Sequence, residues 1–388
     1  MFATAPTSSG SRIPDDELLH WLALRLVPGL GTRKAVTLIE RWRTPMALFG
    51  ASPSEIEAAG VSPGVARAIT SGCTFEDAAT QQERVRAAGV HLVPISDPRY
   101  PQRLRGILDP PLLLFGVGDI ALLDAVSVSV VGMRKPTPYG LAVAERLSSD
   151  MAALGVCIVS GMARGIDTAA HRGALQAKGK TVAIFGCGVD LVYPSENRRL
   201  YDMIAASGLL LSEFPMGAPA FPQNFPIRNR IVSGMSCGVL VVEGAQYSGS
   251  AITARLAMDQ GREVFAVPGP ISSRLSWAPN LLIRQGAKLV MDAHDIVSEI
   301  AGEDRLRLQG VKNKEKEGLE QQLLPLGPSA PLARAILEKL QIETSTHIDG
   351  ILDCLENYSS SEVVACLFEL EMLGLVRQRP GKQFVKVW

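Results

Sequence analysis

The sequence predicts an α/β protein organised around a doubly wound, mostly parallel sheet, with a small all-α segment before it and a helix-and-ribbon segment after it. Short apolar runs recur between residues 125 and 300 and alternate with helical patterns, which is typical of repeated strand–helix units. A glycine or serine lies within two residues of the end of each run, as in short loops. The chain has 388 residues, of which 47% are hydrophobic, enough for several domains and a large core.

Charge, cysteine content and hydropathy exclude several classes of protein. The formal net charge is zero, which argues against an overall basic coat but allows a local basic groove where arginines converge. The six cysteines and five histidines show no metal-ligand spacing, so buried free thiols are expected. No apolar run approaches 18 residues, and the first residues lack a signal-peptide pattern. We therefore predict a cytoplasmic protein with no metal, no cofactor and no membrane contact.

The N-terminal part predicts a disordered tail over residues 1–14 and a small helical domain over residues 15–72. Two glycine turns, at residues 27–34 and 59–66, separate apolar helical runs. The first turn resembles the helix-hairpin-helix unit, whose backbone N–H groups meet a DNA phosphate. A helical bundle used for packing or protein contact is the other interpretation. The contacts under the DNA interpretation are Gly29, Gly31 and Lys34.

The sheet-bearing domain is predicted over residues 73–300, and its most informative stretch is Val156–Leu175. An apolar strand there runs into a small polar loop and then a helix start that Asp167 or Thr168 can cap. Free backbone N–H groups and the helix dipole make such a junction an anion site. A tight turn without a ligand explains the same pattern. In doubly wound sheets the ligand lies beyond the carboxyl ends of the strands, where the loops of this domain converge.

A basic cluster, Phe225–Arg230, lies just before a predicted helix. Arg228 and Arg230 flank an asparagine, and their guanidinium groups are predicted to clamp phosphates, with Arg134 at the same rim. The structural alternative is a salt-bridged helix start that uses Glu213 or Glu243.

Two aromatic residues, Tyr193 and Phe225, lie in predicted loops at that rim. Either ring can stack on a nucleic-acid base, an interaction that contributes about 1–3 kcal/mol. Packing against the protein is the alternative for each ring.

Nucleotide-enzyme motifs are missing. The glycines at 186 and 188 lack the third glycine of GxGxxG, and no GxxxxGK[ST] occurs. Asp167 and His171 lie four residues apart on one helix face, where a helix-capping pair and a general acid–base pair are both consistent. No nucleophile stands with a base at a recognisable spacing. We therefore predict no catalytic residues.

The succession of motifs at 132–134, 160–171, 186–197, 225–230, 242–254 and 266–269 resembles the DNA-processing protein A (DprA/Smf) family over about 140 residues. The resemblance implies a Rossmann-like domain that binds single-stranded DNA without known catalysis. It also implies a homodimer that helps load RecA recombinase during natural transformation. An N-terminal sterile-alpha-motif-like domain and a C-terminal winged helix are common in the family.

The resemblance also implies roles for individual residues. Met133 departs from the small residue that the family usually has between the glycine and the arginine, and it can narrow the approach of a phosphate. The implied DNA-backbone ligands are Arg134, Arg228, Asn229 and Arg230. The implied groove wall comprises Ser160, Gly161, Arg164, Gly165, Gly186, Gly188, Ser248, Gly249, Ser250 and Thr253, with Tyr193 and Phe225 as stacking rings.

The C-terminal part predicts a charged linker over residues 301–328 and a winged-helix domain over residues 329–388, because helical patterns precede a basic two-stranded ribbon. The helix at 359–373 carries three glutamates and no lysine or arginine. Those charges oppose duplex phosphates, so protein contact or dimer support is favoured over duplex binding.

A second functional hypothesis is a nucleotide enzyme similar to the lysine-decarboxylase-like phosphoribohydrolases. Those enzymes follow a PGGxGT turn with a catalytic glutamate. The comparable turn here is Ser248–Thr253, and Ala254, Arg255 and Leu256 follow it without an acid. A pure scaffold protein leaves the converging arginines unexplained. The sequence thus favours a single-stranded DNA-binding mediator over an enzyme.

Overall fold

The computed structural model describes residues 14–308, 329–340, 345–355 and 358–387. Residues 14–308 form one compact unit, and the described residues from 329 onward belong to a second. The predicted N-terminal tail lies almost entirely outside the described residues, as does the predicted linker from 309 to 328. Residues 302–308, at the start of that linker, are helical.

Fifteen helices and nine strands are described in the first unit. The helices are α1 (Asp15–Leu26), α2 (Thr32–Trp42), α3 (Pro45–Phe49), α4 (Pro53–Ala58), α5 (Pro63–Thr70), α6 (Phe75–Ala87), α7 (Gln102–Arg105), α8 (Pro138–Ala153), α9 (Ile166–Gln176), α10 (Arg198–Ser207), α11 (Asn224–Met235), α12 (Gly249–Asp259), α13 (Trp277–Arg284), α14 (Ala293–Val297) and α15 (302–308). The strands are β1 (His91–Pro94), β2 (Leu113–Gly118), β3 (Ser127–Val131), β4 (Cys157–Ser160), β5 (Thr181–Phe185), β6 (Leu209–Ser212), β7 (Gly238–Val241), β8 (Glu263–Ala266) and β9 (Lys288–Leu289).

The nine strands form one sheet in the order β1-β2-β6-β5-β4-β3-β7-β8-β9. Neighbours from β6 to β9 pair in parallel, whereas β1 and β2 extend the sheet at one edge through antiparallel pairs. The predicted α/β class with a largely parallel sheet is therefore confirmed. Strand order reverses between β3 and β7, and such a switch point opens a crevice at the carboxyl ends of the strands.

The central strands are buried on both faces. Cys157 and Val159 belong to one apolar cluster, whereas Val156 and Ile158 belong to another. Because side chains alternate along a strand, the two clusters occupy opposite faces of the sheet. This double burial explains why β4 and β5 appear in the sequence as nearly uninterrupted apolar runs.

The N-terminal helices α1–α6 share a core with one face of the sheet. The cluster that contains Trp21 and Leu38 also contains Phe115 of β2 and Leu210 of β6. A polar contact joins the same elements, since Nε of Arg25 donates to the backbone carbonyl of Glu213. The helical segment is thus packed onto the sheet.

The second unit is built on its own apolar core around Ile336, Leu370 and Phe384. Val364, Phe368 and Met372 are exposed along one face of its third helix, and that helix begins with a capping box formed by Ser359 and Glu362. Its elements are α16 (Ala330–Lys339), β10 (Thr346–His347), α17 (Ile348–Asp353), α18 (Ser360–Met372), β11 (Val376–Arg379) and β12 (Gln383–Lys386), with β12 between the other two antiparallel strands. Nowhere in the described parts of the chain does a helix combine the length and apolar character needed to cross a bilayer.

Candidate functional site

A cavity of about 500 Å³ opens at the carboxyl ends of β3, β4 and β7, beside the point where strand order reverses. This volume lies within the range of small-molecule and cofactor sites. Ten of the predicted site residues line it: Arg134, Gly161, Tyr193, Phe225, Arg228, Asn229, Ser248, Gly249, Ser250 and Thr253. The structure therefore brings these ten residues together at the carboxyl ends of the strands.

Arg228 is the buried cation of this cavity. It lies on α11 with only 3% of its surface exposed, and Nη1 donates to the carbonyl of Ile184. Its Nε has no partner in the described structure. Burial lowers the pKa of this guanidinium, Asp167 acts to raise it and Arg134 lowers it further. A buried cation with a free donor and a second arginine nearby favours an anionic ligand.

Gly161 lies directly against the guanidinium group of Arg228. A Cβ at this position would overlap Nη1 of Arg228. A side chain in place of Gly161 would therefore displace the guanidinium group from its present position.

In the loop between β4 and α9, two backbone amides bind a side chain of the protein itself. The carboxylate of Asp167 accepts hydrogen bonds from the backbone N–H groups of Gly161 (3.1 Å) and Ala163 (3.3 Å). Burial raises the pKa of Asp167, and these bonds and Arg228 oppose that rise. Since the protein's own carboxylate occupies the amides of Gly161 and Ala163, these two N–H groups are not free for an external anion, and the tight-turn alternative describes them. The loop still lines the cavity through Gly161 and Ala163.

Helix α9 also begins differently from the prediction. Its N-cap is Gly165 at φ 78°, with no side-chain cap. Asp167 lies inside the first turn and reaches back to the loop. The expected capping by Asp167 or Thr168 is therefore wrong. Met162 in the same loop has φ 60°, and Asn197 donates to its carbonyl at 3.0 Å. The loop is strained and held by polar contacts, as at many functional sites.

Three side chains form a stack at the rim. The guanidinium carbon of Arg134 lies 5.2 Å from the ring centre of Phe225. The ring centres of Tyr193 and Phe225 are 5.5 Å apart, with an interplanar angle of 34°. Tyr193 is 45% exposed. The two rings therefore pack on each other and leave a surface of Tyr193 accessible to a base.

The start of α12 contributes polar groups to the cavity. Ser248 caps this 11-residue helix by accepting from the N–H of Ala251, and its hydroxyl lies 2.8 Å from that of Ser250. Ser248, Gly249 and Ser250 all line the cavity. The positive end of the helix dipole thus lies at the cavity and favours a phosphate there.

Arg230 is not at the cavity. Its Nη1 and Nη2 donate to the two carboxylate oxygens of Glu213 at 2.6 and 2.7 Å, and Nε donates to the carbonyl of Asp109 at 3.0 Å. Burial acts to lower the pKa of Arg230, but the bonds to Glu213 leave it raised. The prediction that Arg228 and Arg230 clamp phosphates together is wrong, because Arg228 lines the cavity and Arg230 does not. The salt-bridge alternative describes Arg230.

Two further predicted residues from the β4 loop point away from the cavity lining. The hydroxyl of Ser160 is buried and donates to the carbonyl of Val130 at 2.7 Å. Arg164 is exposed and pairs with Glu196. Ser160 therefore stabilises the sheet, and Arg164 lies on the outer surface of the loop.

The predicted glycines that do not line the cavity lie in the loops behind its lining residues. Gly186 lies under the ring of Phe225, where a Cβ would be 3.0 Å from the ring. The N–H of Gly188 donates to Ala218 at 2.8 Å. At Gly165 a Cβ would overlap the carbonyl of Met133. These three positions shape the loops that carry the lining residues.

His171 is enclosed in the core. Its Nδ1 lies 2.7 Å from the hydroxyl of Thr181, which itself donates to the carbonyl of Ile158. Nδ1 is therefore the donor, and Nε2 is a buried nitrogen without a partner in the described structure. Burial, with a smaller effect of Arg228, lowers the pKa of His171 to about 3. A neutral, enclosed imidazole that does not line the cavity fits a scaffold role.

This burial predicts a pH-dependent stability. The folded protein excludes a proton that the unfolded chain binds below its ordinary pKa of about 6.5, so stability falls as the pH drops from 6.5 towards 3. Between pH 7 and pH 5 we expect the free energy of unfolding of the natural protein to fall by about 2 kcal/mol more than that of His171→Leu. Urea unfolding at both pH values measures the difference, and equal pH dependence would contradict the assignment.

Within the described ranges no group of three His, Cys, Asp or Glu side chains is arranged to hold a metal ion. Of the described residues that line the cavity, Asp167 alone carries a carboxylate, and backbone amides occupy it.

Residues 91–301 match the family model described as DNA recombination-mediator protein A. The chain is 44% identical over 216 residues to DNA processing protein DprA of Bacillus subtilis, covering 55% of this chain and 73% of that protein. It is 34% identical over 313 residues to Protein Smf of Synechocystis, covering 74% of this chain and 78% of that one. The X-ray structure of DNA processing protein A from Streptococcus pneumoniae superposes with a TM-score of 0.62 at 35% identity, covering 75% of this chain and 99% of that chain.

Proposed function

The chain belongs to the DNA recombination-mediator protein A family, and we propose that it binds single-stranded DNA in the cavity at the carboxyl ends of its strands. The observation that carries the proposal is the buried Arg228 with its unpartnered Nε, next to Arg134. Phosphates supply the acceptors that these guanidinium groups lack. The Phe225–Tyr193 stack at the same rim supplies rings for bases.

Single strands are favoured over duplex because of the ring positions. Bases in a duplex are stacked on each other and paired, so a protein ring reaches a base face only in an unpaired strand. The exposed surface of Tyr193 next to Phe225 fits such a base. We therefore assign the phosphates to Arg134, Arg228 and the start of α12, and the bases to the two rings.

Several broader roles belong to the same proposal. The family description as a recombination mediator supports a handover of the strand to RecA recombinase during natural transformation. A cytoplasmic homodimer without catalytic activity is the proposed working form. We propose a winged helix at residues 329–388 that contacts protein, because α18 carries glutamates and an apolar stripe.

The proposal is tested by binding of a labelled dT20 strand to the full chain across a salt series. We expect log affinity to fall linearly with log salt, by about 0.7 for each phosphate that is neutralised. A duplex of the same length is expected to bind more weakly, and dTMP to compete only at far higher concentration. Competition by dTMP as effective as by the strand would instead support a nucleotide-enzyme pocket.

A further inference from the structure

The loop between β7 and α12 presents an aromatic side chain to solvent. Tyr247 is 87% exposed. In the described structure it makes no hydrogen bond, ring contact or cation–π contact through its side chain. Packing therefore does not account for a large apolar ring at this position, where burial would be favourable.

The backbone at Tyr247 is strained. Its φ is 63°, in the left-handed region that costs a non-glycine residue free energy. Backbone hydrogen bonds in the surrounding loop fix this conformation. The N–H of Ser248 donates to the carbonyl of Ala245 at 3.1 Å. The N–H of Gly244 donates to the carbonyl of Leu275, and the carbonyl of Gly244 accepts from the N–H of Ala278. The loop is therefore ordered, and its order holds the ring outward.

Tyr247 and Tyr193 lie on loops that leave the sheet at different strands. Tyr247 directly precedes Ser248, which lines the cavity, on the loop after β7. Tyr193 lies on the loop after β5, and the sheet order β5-β4-β3-β7 separates the two strand ends by three strand spacings. At about 4.8 Å for each spacing, the strand ends lie about 14 Å apart.

We propose that Tyr247 is a second base-stacking residue, so that a single strand crosses the carboxyl edge of the sheet from the Tyr193–Phe225 stack to Tyr247. The inference rests on the proposed function. A stacked strand advances about 3.4 Å per nucleotide, so about four nucleotides span the 14 Å, and fewer span it when the strand is extended. A ligand of one or two nucleotides held at Arg228 and Tyr193 does not reach both ends.

The test compares Tyr247→Ala with the natural protein for dT12 and dT2, with Tyr247→Phe and Tyr358→Ala as controls. Tyr247→Ala is expected to weaken dT12 binding about fivefold or more, the lower end of base–aromatic stacking, and to leave dT2 binding unchanged. Tyr247→Phe keeps the ring and is expected to bind both strands normally. Tyr358 is an exposed tyrosine of the second unit, and its replacement is expected to have no effect.

The outcomes separate this inference from the proposed function. If the natural protein binds dT12 and Tyr247→Ala binds it equally well, the stacking role is wrong while the cavity assignment stands. Equal losses for dT2 and dT12 would place the effect in a distorted α12 start, which also overturns the inference. Failure of the natural protein to bind dT12 overturns both.

Discussion

Arg230→Ala is expected to lower the free energy of unfolding by about 3–5 kcal/mol, the largest stability effect of any substitution considered for this protein. Arg230 and Glu213 are both buried, and their carboxylate–guanidinium contact is bidentate. Removing the guanidinium leaves the Glu213 carboxylate charged in the core with its two main acceptor bonds lost. The contact also joins α11 to the end of β6.

Urea unfolding of the full chain measures this effect. The matched control is Arg164→Ala, which removes an arginine from the exposed pair with Glu196 and is expected to cost less than about 1 kcal/mol. The double variant Arg230→Met/Glu213→Leu removes both buried charges and is expected to recover most of the lost stability. If Arg230→Ala is no less stable than Arg164→Ala, the buried pair is not the structural contact described here.

The sheet could be predicted from the sequence because its central strands are buried on both faces. A strand covered by helices on each side needs apolar residues at nearly every position, so β4 and β5 appear as nearly continuous apolar runs. Strand β3 also carries Ser127 and Ser129, whose buried hydroxyls donate to the carbonyls of Met235 and Val232. Their carboxyl ends meet at one edge for topological reasons, which is why Arg134, Arg228, Tyr193 and Phe225 could be placed at one rim without coordinates. The resemblance to the family implied the other six predicted residues that line the cavity.

The different positions of Arg228 and Arg230 could not be predicted from the number of positive charges in the cluster. Helix α11 begins at Asn224, so Arg228 and Arg230 both lie within it and not before it. Residues two apart on a helix point about 200° away from each other, so one guanidinium faces the cavity and the other faces Glu213. The helical period contained this signal, and placing the helix start at Asn224 instead of after Arg230 would have revealed it.

Other features depend on contacts that the local sequence does not encode. Asp167 returns to amides four and six residues before it, and only the loop path of the folded chain brings them together. Tyr247 is an aromatic residue with a left-handed φ, a conformation that propensity assigns to glycine or asparagine. In each case the tertiary context overrides the local preference.

Arg228→Met is expected to weaken binding of dT20 at least tenfold and to reduce the salt slope by about 0.7, the value for one phosphate on a single strand. The stability effect runs opposite to that of Arg230. The Arg228 guanidinium is buried with an unpartnered Nε, so replacing it with an apolar side chain of similar length removes a desolvation cost. Asp167 keeps its two backbone amide donors, from Gly161 and Ala163. The folded protein is therefore expected to persist.

The two arginines thus predict a crossed result. Arg230→Ala loses stability but, at a temperature where it remains folded, binds dT20 close to normally; Arg228→Met keeps its stability and loses affinity. Arg262→Met controls for net charge, because it removes one arginine that donates to Arg103 and Gly234 and does not line this cavity. An unchanged affinity and salt slope for Arg228→Met would contradict the assignment of a DNA phosphate to this cavity. Equal losses of affinity for Arg228→Met and Arg262→Met would mean that the loss comes from the change in net charge. A phosphate held by Arg228 requires the guanidinium group at that one position.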